Sequence, residues 1–340
     1  MRFCGASALS VLGLLVLAAL VVSFFWIQMV LNTPLDWAKG TVIEVEKGDT
    51  ARDLVERLEA KGLVGDGFLL LLYMKLTGLD KRIRPARVRV EASDTLGDLI
   101  MRIVRYRRPQ VEVIVWEGMD LFDVADLLDR SGIVRKGEFL SYAMDESVVE
   151  GYGLWGRTLE GYLFPDTYLF FKDSTPREVV DKMVDNFKKK ALPLLLRATL
   201  LDPYKTLIVA SLVQKETYVP DEMPVVAGVI YNRLMKGMLL QIDPTVIYAY
   251  RLKYGDAVRV KLTREKLRID SPYNTYRVKG LPETPICNPG LDAIRAALRP
   301  AETPYLYFVA VGNGTHHFSK TLREHLRAVR RYRKAHGGVR

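Results

Sequence analysis

From Phe3 to Leu35 the chain carries no charged side chain, and from Ala8 to Leu31 it is almost wholly apolar. About 20 such residues are enough to cross the hydrocarbon core of a bilayer. A cleavable signal has a shorter apolar core followed by a small-residue cleavage site. Here the run passes into Leu31-Asn-Thr-Pro-Leu-Asp36 without such a site. We therefore expect residues 1–35 to be a cytoplasmic N-terminus and an uncleaved, single-pass transmembrane anchor, with the lipid of the inner (cytoplasmic) membrane as its partner. Trp26 and Trp37 stand where interfacial aromatics would. Arg2 before the run and Lys39 and Lys47 after it decide the orientation poorly. The short N-terminal segment favours an N-terminus in the cytoplasm and the bulk of the chain on the periplasmic side.

The 340 residues, 49% hydrophobic and 26% charged, suffice for two or more packed domains. Fifty Lys and Arg against forty Asp and Glu give a formal charge of +10, which suits an anionic partner such as a phospholipid surface, an acidic polymer or nucleic acid. No zinc-finger spacing, Walker loop or RNA-binding aromatic signature supports nucleic acid. The two cysteines, Cys4 and Cys287, flank the apolar run, so no intramolecular disulfide is expected. Cys4 is too near the N-terminus to be a lipoprotein cysteine.

An internal repeat follows the anchor. Val42-Ile-Glu-Val-Glu-Lys-Gly48 leads into Thr50–Leu58 and Lys61-Gly-Leu-Val64, and seventy positions on Glu112-Val-Ile-Val-Trp-Glu-Gly118 leads into Asp120–Leu128 and Ser131-Gly-Ile-Val134. Gly48 matches Gly118, Asp53 matches Asp123 and Gly62 matches Gly132. Each copy reads as a strand, a Gly turn, an amphipathic helix and a Gly-terminated helix end. A partial copy, Arg87 to Ile100, lies between them. These modules, over residues 36–144, resemble LysM-like units, which bind N-acetylated glycans; a spacer or packing platform is the other reading. Arg105-Tyr-Arg-Arg-Pro109 reads as a solvated linker or as a contact for anionic headgroups or glycan carboxylates.

From about Asp145 the texture changes. Leu159–Phe170 mixes aromatics with Glu160 and Asp166, a combination that suits sugar rings and equally an ordinary loop packed on a core. Thr175-Pro-Arg-Glu178 starts a helix that runs through Lys190. Asp202 and Pro203 are a cap and first turn for an apolar helix, Tyr204–Thr217, whose C-terminal end carries Glu216. Apolar neighbours and the adverse helix dipole favour the neutral acid there, as a proton donor requires. A surface ion pair with Lys215 or Lys205 is the alternative. Val225–Leu234 is a second helix, bearing Asn232 and Arg233. Lys236–Tyr248 is a turn, an extended piece and a third helix that Asp243, before Pro244, would cap. Ser271–Tyr276 and Lys279–Gly290 are loops stiffened by proline. Leu291–Leu298 reads as a helix, Tyr305–Val311 as a buried strand, Asn313-Gly314 as a turn and Arg323–Arg340 as a basic helical tail. His316 and His317 lack a third ligand at metal spacing, so no metal is expected.

Taken together, Ser211-Leu-Val-Gln-Lys-Glu-Thr217, Asn232-Arg-Leu234, Gly237–Tyr248, Tyr273-Asn-Thr-Tyr276, Gly280-Leu-Pro282, Asn288-Pro-Gly290 and Tyr305-Leu-Tyr-Phe-Val309 resemble the endolytic murein transglycosylase family (MltG, YceG-like). The resemblance runs from the anchor to about Val329, and the ordered set is far more specific than any one motif. It implies an α+β protein: the anchor, LysM-like strand/helix modules, and a mixed α+β transglycosylase domain over residues 145–340. It implies cleavage of the MurNAc-β-1,4-GlcNAc bond within peptidoglycan strands without water, leaving 1,6-anhydro-MurNAc ends, with no cofactor. The Lys-Glu-Thr motif places the catalytic acid, later the base, at Glu216. Members often carry an acid two places earlier, where this chain has Gln214. Gln241, Asn274 and Tyr276 are the first candidates to hold substrate acetamido groups, then Asp243, with Glu160 and Tyr162 lining a glycan subsite. Cell-wall synthases are conceivable partners. The rival readings are a hydrolytic muramidase using Glu216 with Asp243, and a non-catalytic membrane-anchored glycan-binding scaffold.

Overall fold

The computed structural model describes residues 4–46, 48–106, 108–255, 262–312 and 314–335. Lys47, Arg107, Asn313 of the expected turn and the last five residues of the basic tail lie outside the described residues. The chain divides into two units, residues 1–109 and 110–340, each with its own apolar cluster.

The first unit opens on α1 (Cys4–Leu31), of which Val11–Leu31 has a mean hydropathy of 2.6. Its length and composition fit a single-pass membrane anchor. Then come β1 (Val42–Val45), α2 (Ala51–Ala60), α3 (Phe68–Thr77), β2 (Ala86–Arg89) and α4 (Leu96–Arg105). β1 and β2 pair antiparallel, Val42 opposite Arg89 and Val45 opposite Ala86. The sequence repeat has a physical meaning here, because the same cap recurs after each strand. Thr50 and Asp53 form a capping box on α2, and Thr95 and Asp98 form one on α4. Asp49 takes the guanidinium of Arg57, and Asp94 that of Arg102, at the same spacing. Each box satisfies donors that a helix start leaves open, and losing one costs ~1 kcal/mol. Gly48 and Gly62 take the positive φ angles, 100° and 69°, that their turns require.

The second unit contains β3 (Gln110–Val115), α5 (Leu121–Arg130), α6 (Lys136–Ala143), α7 (Glu146–Gly151), β4 (Asp166–Phe171), α8 (Pro176–Lys190) and α9 (Leu192–Leu195). It continues with α10 (Pro203–Glu216), α11 (Met223–Met235), α12 (Asp243–Tyr254), α13 (Leu291–Leu298), β5 (Tyr307–Ala310), β6 (His316–Ser319) and α14 (Leu322–Ala335). With three two-stranded antiparallel sheets among the described residues, the class is α+β. The compact boundary falls at 109/110 rather than 144/145. β3 pairs with β4 along its whole length, from Gln110–Phe171 to Val115–Asp166, and α5 contributes Leu121, Val124 and Leu128 to the larger core. The second repeat copy, capped by Asp120 and Asp123, is thus part of the larger unit.

α10 is the axis of that unit. Nine consecutive residues, Thr206–Gln214, are buried, as expected of a helix packed on all sides; it meets α9, α11, α12 and α13. Asp202 caps it, accepting from the Lys205 N–H at 2.8 Å, and Pro203 occupies the first turn. Two local expectations need correction. β5 is only partly buried, because Tyr307 and Phe308 face a cleft. Asp243 is the first residue of α12 and not its cap, which falls at Ile242; its carboxylate accepts instead from the Tyr276 hydroxyl.

Candidate active site

α10 ends on Glu216, which opens into a cleft of about 490 Å³ between α11, the start of α12, the β5–β6 hairpin and α14. The neighbouring chain is brought there by close packing over a glycine. A Cβ on Gly228 of α11 would stand 2.4 Å from the Ala301 carbonyl oxygen, so only glycine lets the segment before β5 cross so closely. Asn232 then donates to the Thr303 and Tyr305 carbonyls at 2.7 and 3.0 Å. Arg233 donates through Nε to the Leu306 carbonyl at 2.6 Å and through Nη1 to Leu240 at 2.6 Å. Its guanidinium lies 5.0 Å from the centre of the Tyr307 ring. One Asn-Arg pair thus fastens two walls of the cleft to the helix behind it.

The opposite wall is set by the loop before α12. Gln241 adopts a φ of 51°, which non-glycine residues seldom take and which is held here by its N–H bond to the Thr275 carbonyl at 3.0 Å. The Thr275 hydroxyl accepts from the Ile242 N–H at 2.9 Å and lies 2.9 Å from that of Thr245. Gln241, Asp243 and Tyr276 thereby face the same space as Glu216 and Arg233.

Glu216 makes no side-chain hydrogen bond among the described residues and is half-buried. Removal from water, then the negative charge of Asp243, push its pKa from the ordinary 4.5 to about 8; Arg233 opposes the shift. The group is therefore a protonated acid at neutral pH. The ion-pair alternative is not realised. Lys215 donates to the Gly118 carbonyl at 2.9 Å, and Lys205 pairs with Asp202 at 2.9 Å. Gln214 is buried, accepting from the Gly290 N–H at 2.9 Å.

Three expected glycan contacts lie elsewhere. Asn274 is fully buried; it donates to the Leu267 and Ile269 carbonyls at 3.0 and 2.7 Å and accepts from the Tyr276 N–H. It shapes the loop that presents Tyr276 and is closed to a glycan. Tyr162 is buried edge-to-face on Phe187, with its hydroxyl on the Trp155 carbonyl. Glu160, also fully buried, accepts from the Leu121 N–H at 3.0 Å and the Tyr248 hydroxyl at 2.8 Å. Burial and the nearby Asp120 push it well above the usual carboxylate range. The aromatics Tyr162, Phe164, Tyr168 and Phe170, with Glu160, thus build core and not a sugar platform.

Sequence reasoning assigned no role to Arg233, Tyr307, His316 or His325, all of which line the cleft. His316 Nδ1 lies 2.8 Å from Glu222, whose other oxygen accepts the His316 backbone N–H at 2.9 Å. The available signal was the charged Arg233 inside an otherwise apolar helix.

The fold and cleft define an α+β protein built to hold one neutral carboxylic acid beside a carboxylate, an arginine, an amide and a phenol. The chain belongs to the YceG-like family, whose sequence profile matches residues 43–331. It is 42% identical over 182 residues to a Bacillus subtilis protein named endolytic murein transglycosylase, covering 51% of this chain and 48% of that one. A Streptococcus pneumoniae protein of the same name is 28% identical over 358 residues, 94% of this chain and 64% of its own length. The chain thus spans about half to two thirds of these relatives. A crystal structure of a YceG-like protein from Listeria monocytogenes superposes with a TM-score of 0.56 at 29% identity, over 86% of this chain and 99% of that one.

Proposed function

We propose that the chain is a membrane-anchored endolytic murein transglycosylase, with Glu216 as general acid and then base. The observation that carries this reading is a carboxylic acid still protonated near pH 7 that opens, beside Arg233, Gln241, Asp243 and Tyr276, into a cleft of about 490 Å³. In the first step Glu216 protonates the oxygen leaving MurNAc, while the substrate's own 2-acetamido oxygen stabilises the anomeric carbon in place of an enzyme nucleophile. In the second, the Glu216 carboxylate takes the proton from the C6 hydroxyl, which closes the 1,6-anhydro ring without water. Gln241 and Tyr276 hold the acetamido group. Asp243 keeps Glu216 protonated for the first step, and Arg233 favours the carboxylate needed in the second. We place α1 across the cytoplasmic membrane with the N-terminus inside and the cleft outside, where new strands emerge and wall synthases work. The strand–helix–helix–strand order of the smaller unit supports a LysM-like, glycan-binding part for it.

The presence of Asp243 in the same cleft favours one second reading, a muramidase that uses it as the other carboxylate. Mass spectrometry of digested glycan separates the two, since an anhydro end is lighter than a reducing end by one water. Hydrated ends would overturn the transglycosylase reading. Binding without release of soluble fragments would leave a scaffold only.

A further inference from the structure

The smaller unit carries a helix face that its own core leaves open. α3, Phe68-Leu-Leu-Leu-Leu-Tyr-Met-Lys-Leu-Thr77, has one charged residue, and only Leu70 and Met74 are buried. Phe68, Leu72 and Leu76 recur every fourth residue and so form one stripe. They are 68%, 39% and 78% exposed, where a helix in water would present charged or polar groups.

Its place is fixed by the end of α1. The Leu35 N–H bonds to the Asp94 carbonyl at 2.8 Å, the Leu96 N–H bonds to Thr33 at 3.1 Å, and Pro34 bridges to Thr95. A Cβ on Gly97 would stand 3.2 Å from the Leu31 carbonyl oxygen, so α4 starts against the last turn of α1. Val30 and Leu31 pack on the unit's core, and α1 touches both α3 and α4. No free tether separates the anchor from the unit. The 21 residues of Val11–Leu31 rise by about 1.5 Å each, close to the ~30 Å of a hydrocarbon core. The last turn of α1 therefore falls at the lipid boundary, and α3 beside it falls there too. Lys75, Lys81, Arg82 and Arg84 are exposed along and beyond α3. Of the nearby acids, Glu59 and Asp66 accept the Gly67 and Phe68 N–H groups at the start of α3, and Asp80 is half-buried.

We propose that α3 lies in the surface of the membrane that α1 crosses, its Phe68–Leu72–Leu76 stripe at the headgroup–acyl boundary and its basic edge on anionic phospholipid headgroups. Apolar burial joined to basic residues is how interfacial helices bind. The proposal rests on the anchor reading. It makes the first unit a seated base and not a domain swinging on a hinge.

The full chain with Cys4→Ser, Cys287 being buried, is spin-labelled singly at Leu72→Cys, Leu76→Cys, Glu56→Cys on the exposed face of α2, or Leu17→Cys in the anchor. Collision with oxygen and with a water-soluble nickel complex is compared in nanodiscs of phosphatidylcholine with and without phosphatidylglycerol. We expect positions 72 and 76 to favour oxygen at a depth of about 5–10 Å, more deeply with the anionic lipid, and position 56 to favour nickel. Arg82→Gln with Arg84→Gln should shrink the lipid difference, and a difference equal to wild type would remove the headgroup contact. Nickel access at 72 and 76 equal to that at 56, with 17 in lipid, overturns the proposal. Exclusion of both reagents there means protein contact, such as a second copy, and also overturns it. An equal depth in both lipids removes the headgroup contact. Nickel access at 17 sinks the anchor reading and this proposal together. Cleavage plays no part in the readout, so failure of the transglycosylase reading is seen separately.

Discussion

Replacing Glu216 by Gln keeps the shape of the side chain and removes the proton it exchanges, which tests both the electrostatics and the chemistry of the cleft. The folded protein holds that proton up to about pH 8, whereas an unfolded chain releases it near 4.5. Between those values the folded state binds more protons than the unfolded one. Stability from this group is therefore full below 4.5, falls as pH rises and levels off above 8. At about 1.4 kcal/mol per pH unit the ceiling is near ~5 kcal/mol, and water in the open cleft reduces it, so we expect ~1–3 kcal/mol. Gln carries no such penalty. The stability of Glu216→Gln relative to wild type should thus climb from pH 5 to pH 9, as read by denaturant unfolding at several pH values. Release of glycan fragments should meanwhile fall by about 10²–10⁴-fold, the usual worth of a positioned acid or base. A stability difference that is flat with pH would refute the buried neutral acid. Turnover at the wild-type rate would refute its catalytic role.

Asp243→Asn removes the negative charge that helps hold the Glu216 proton, so the high-pH limb of the cleavage profile should move down by roughly one pH unit; an upward move would contradict the assignment. Arg251→Met strips the guanidinium shared by Asp120 and Asp123, and leaving the buried Asp120 carboxylate without its counter-charge should cost about 3–5 kcal/mol in chemical denaturation, with cleavage by the folded fraction unchanged. Asn274→Ala leaves two carbonyls and the Tyr276 N–H without partners, for a loss of about 1–3 kcal/mol and a raised KM as Tyr276 loosens. Gly161→Ala drives a Cβ to 2.7 Å from Pro285 at a φ of 90°, and a melting temperature equal to wild type would show that this packing yields easily.

What was legible in the sequence was local. The Thr175–Glu178 box and the Asp202–Pro203 start each fix a helix by contacts within three residues, and the repeated Thr–Asp caps showed as a repeat because each cap is a short pattern. What was not legible depends on partners far along the chain. The Asn288 side-chain oxygen accepts the N–H groups of Gly161 and Leu163 at 3.0 and 2.9 Å, across more than a hundred residues. Those bonds hold the buried stretch 159–164 against the core, and the alternation of aromatics with acids reads the same whether the rings face sugar or core. The boundary at 109/110 rests likewise on the pairing of β3 with β4, which no window around Asp145 contains. The segment that Arg233 meets at the cleft crosses α11 at Gly228, whose missing Cβ matters because Ala301 and Thr303 pass above it.

Glu160 and Glu216 show why a raised pKa does not by itself mark an active site. Burial lifts both, and a nearby aspartate adds to each. They differ in what is left for a ligand to use. Glu160 is fully enclosed and already accepts from a backbone N–H and a buried tyrosine hydroxyl. A proton moved there would break a satisfied network, and no substrate atom can reach it. Glu216 has the same kind of shift with its oxygens unengaged and its side chain facing the cleft. Its energy is held only by desolvation and by Asp243, and both change when a substrate fills the cleft or takes the proton. Glu160 is raised and satisfied, as a structural acid can be; the role proposed for Glu216 needs an acid raised and left unsatisfied until a substrate arrives.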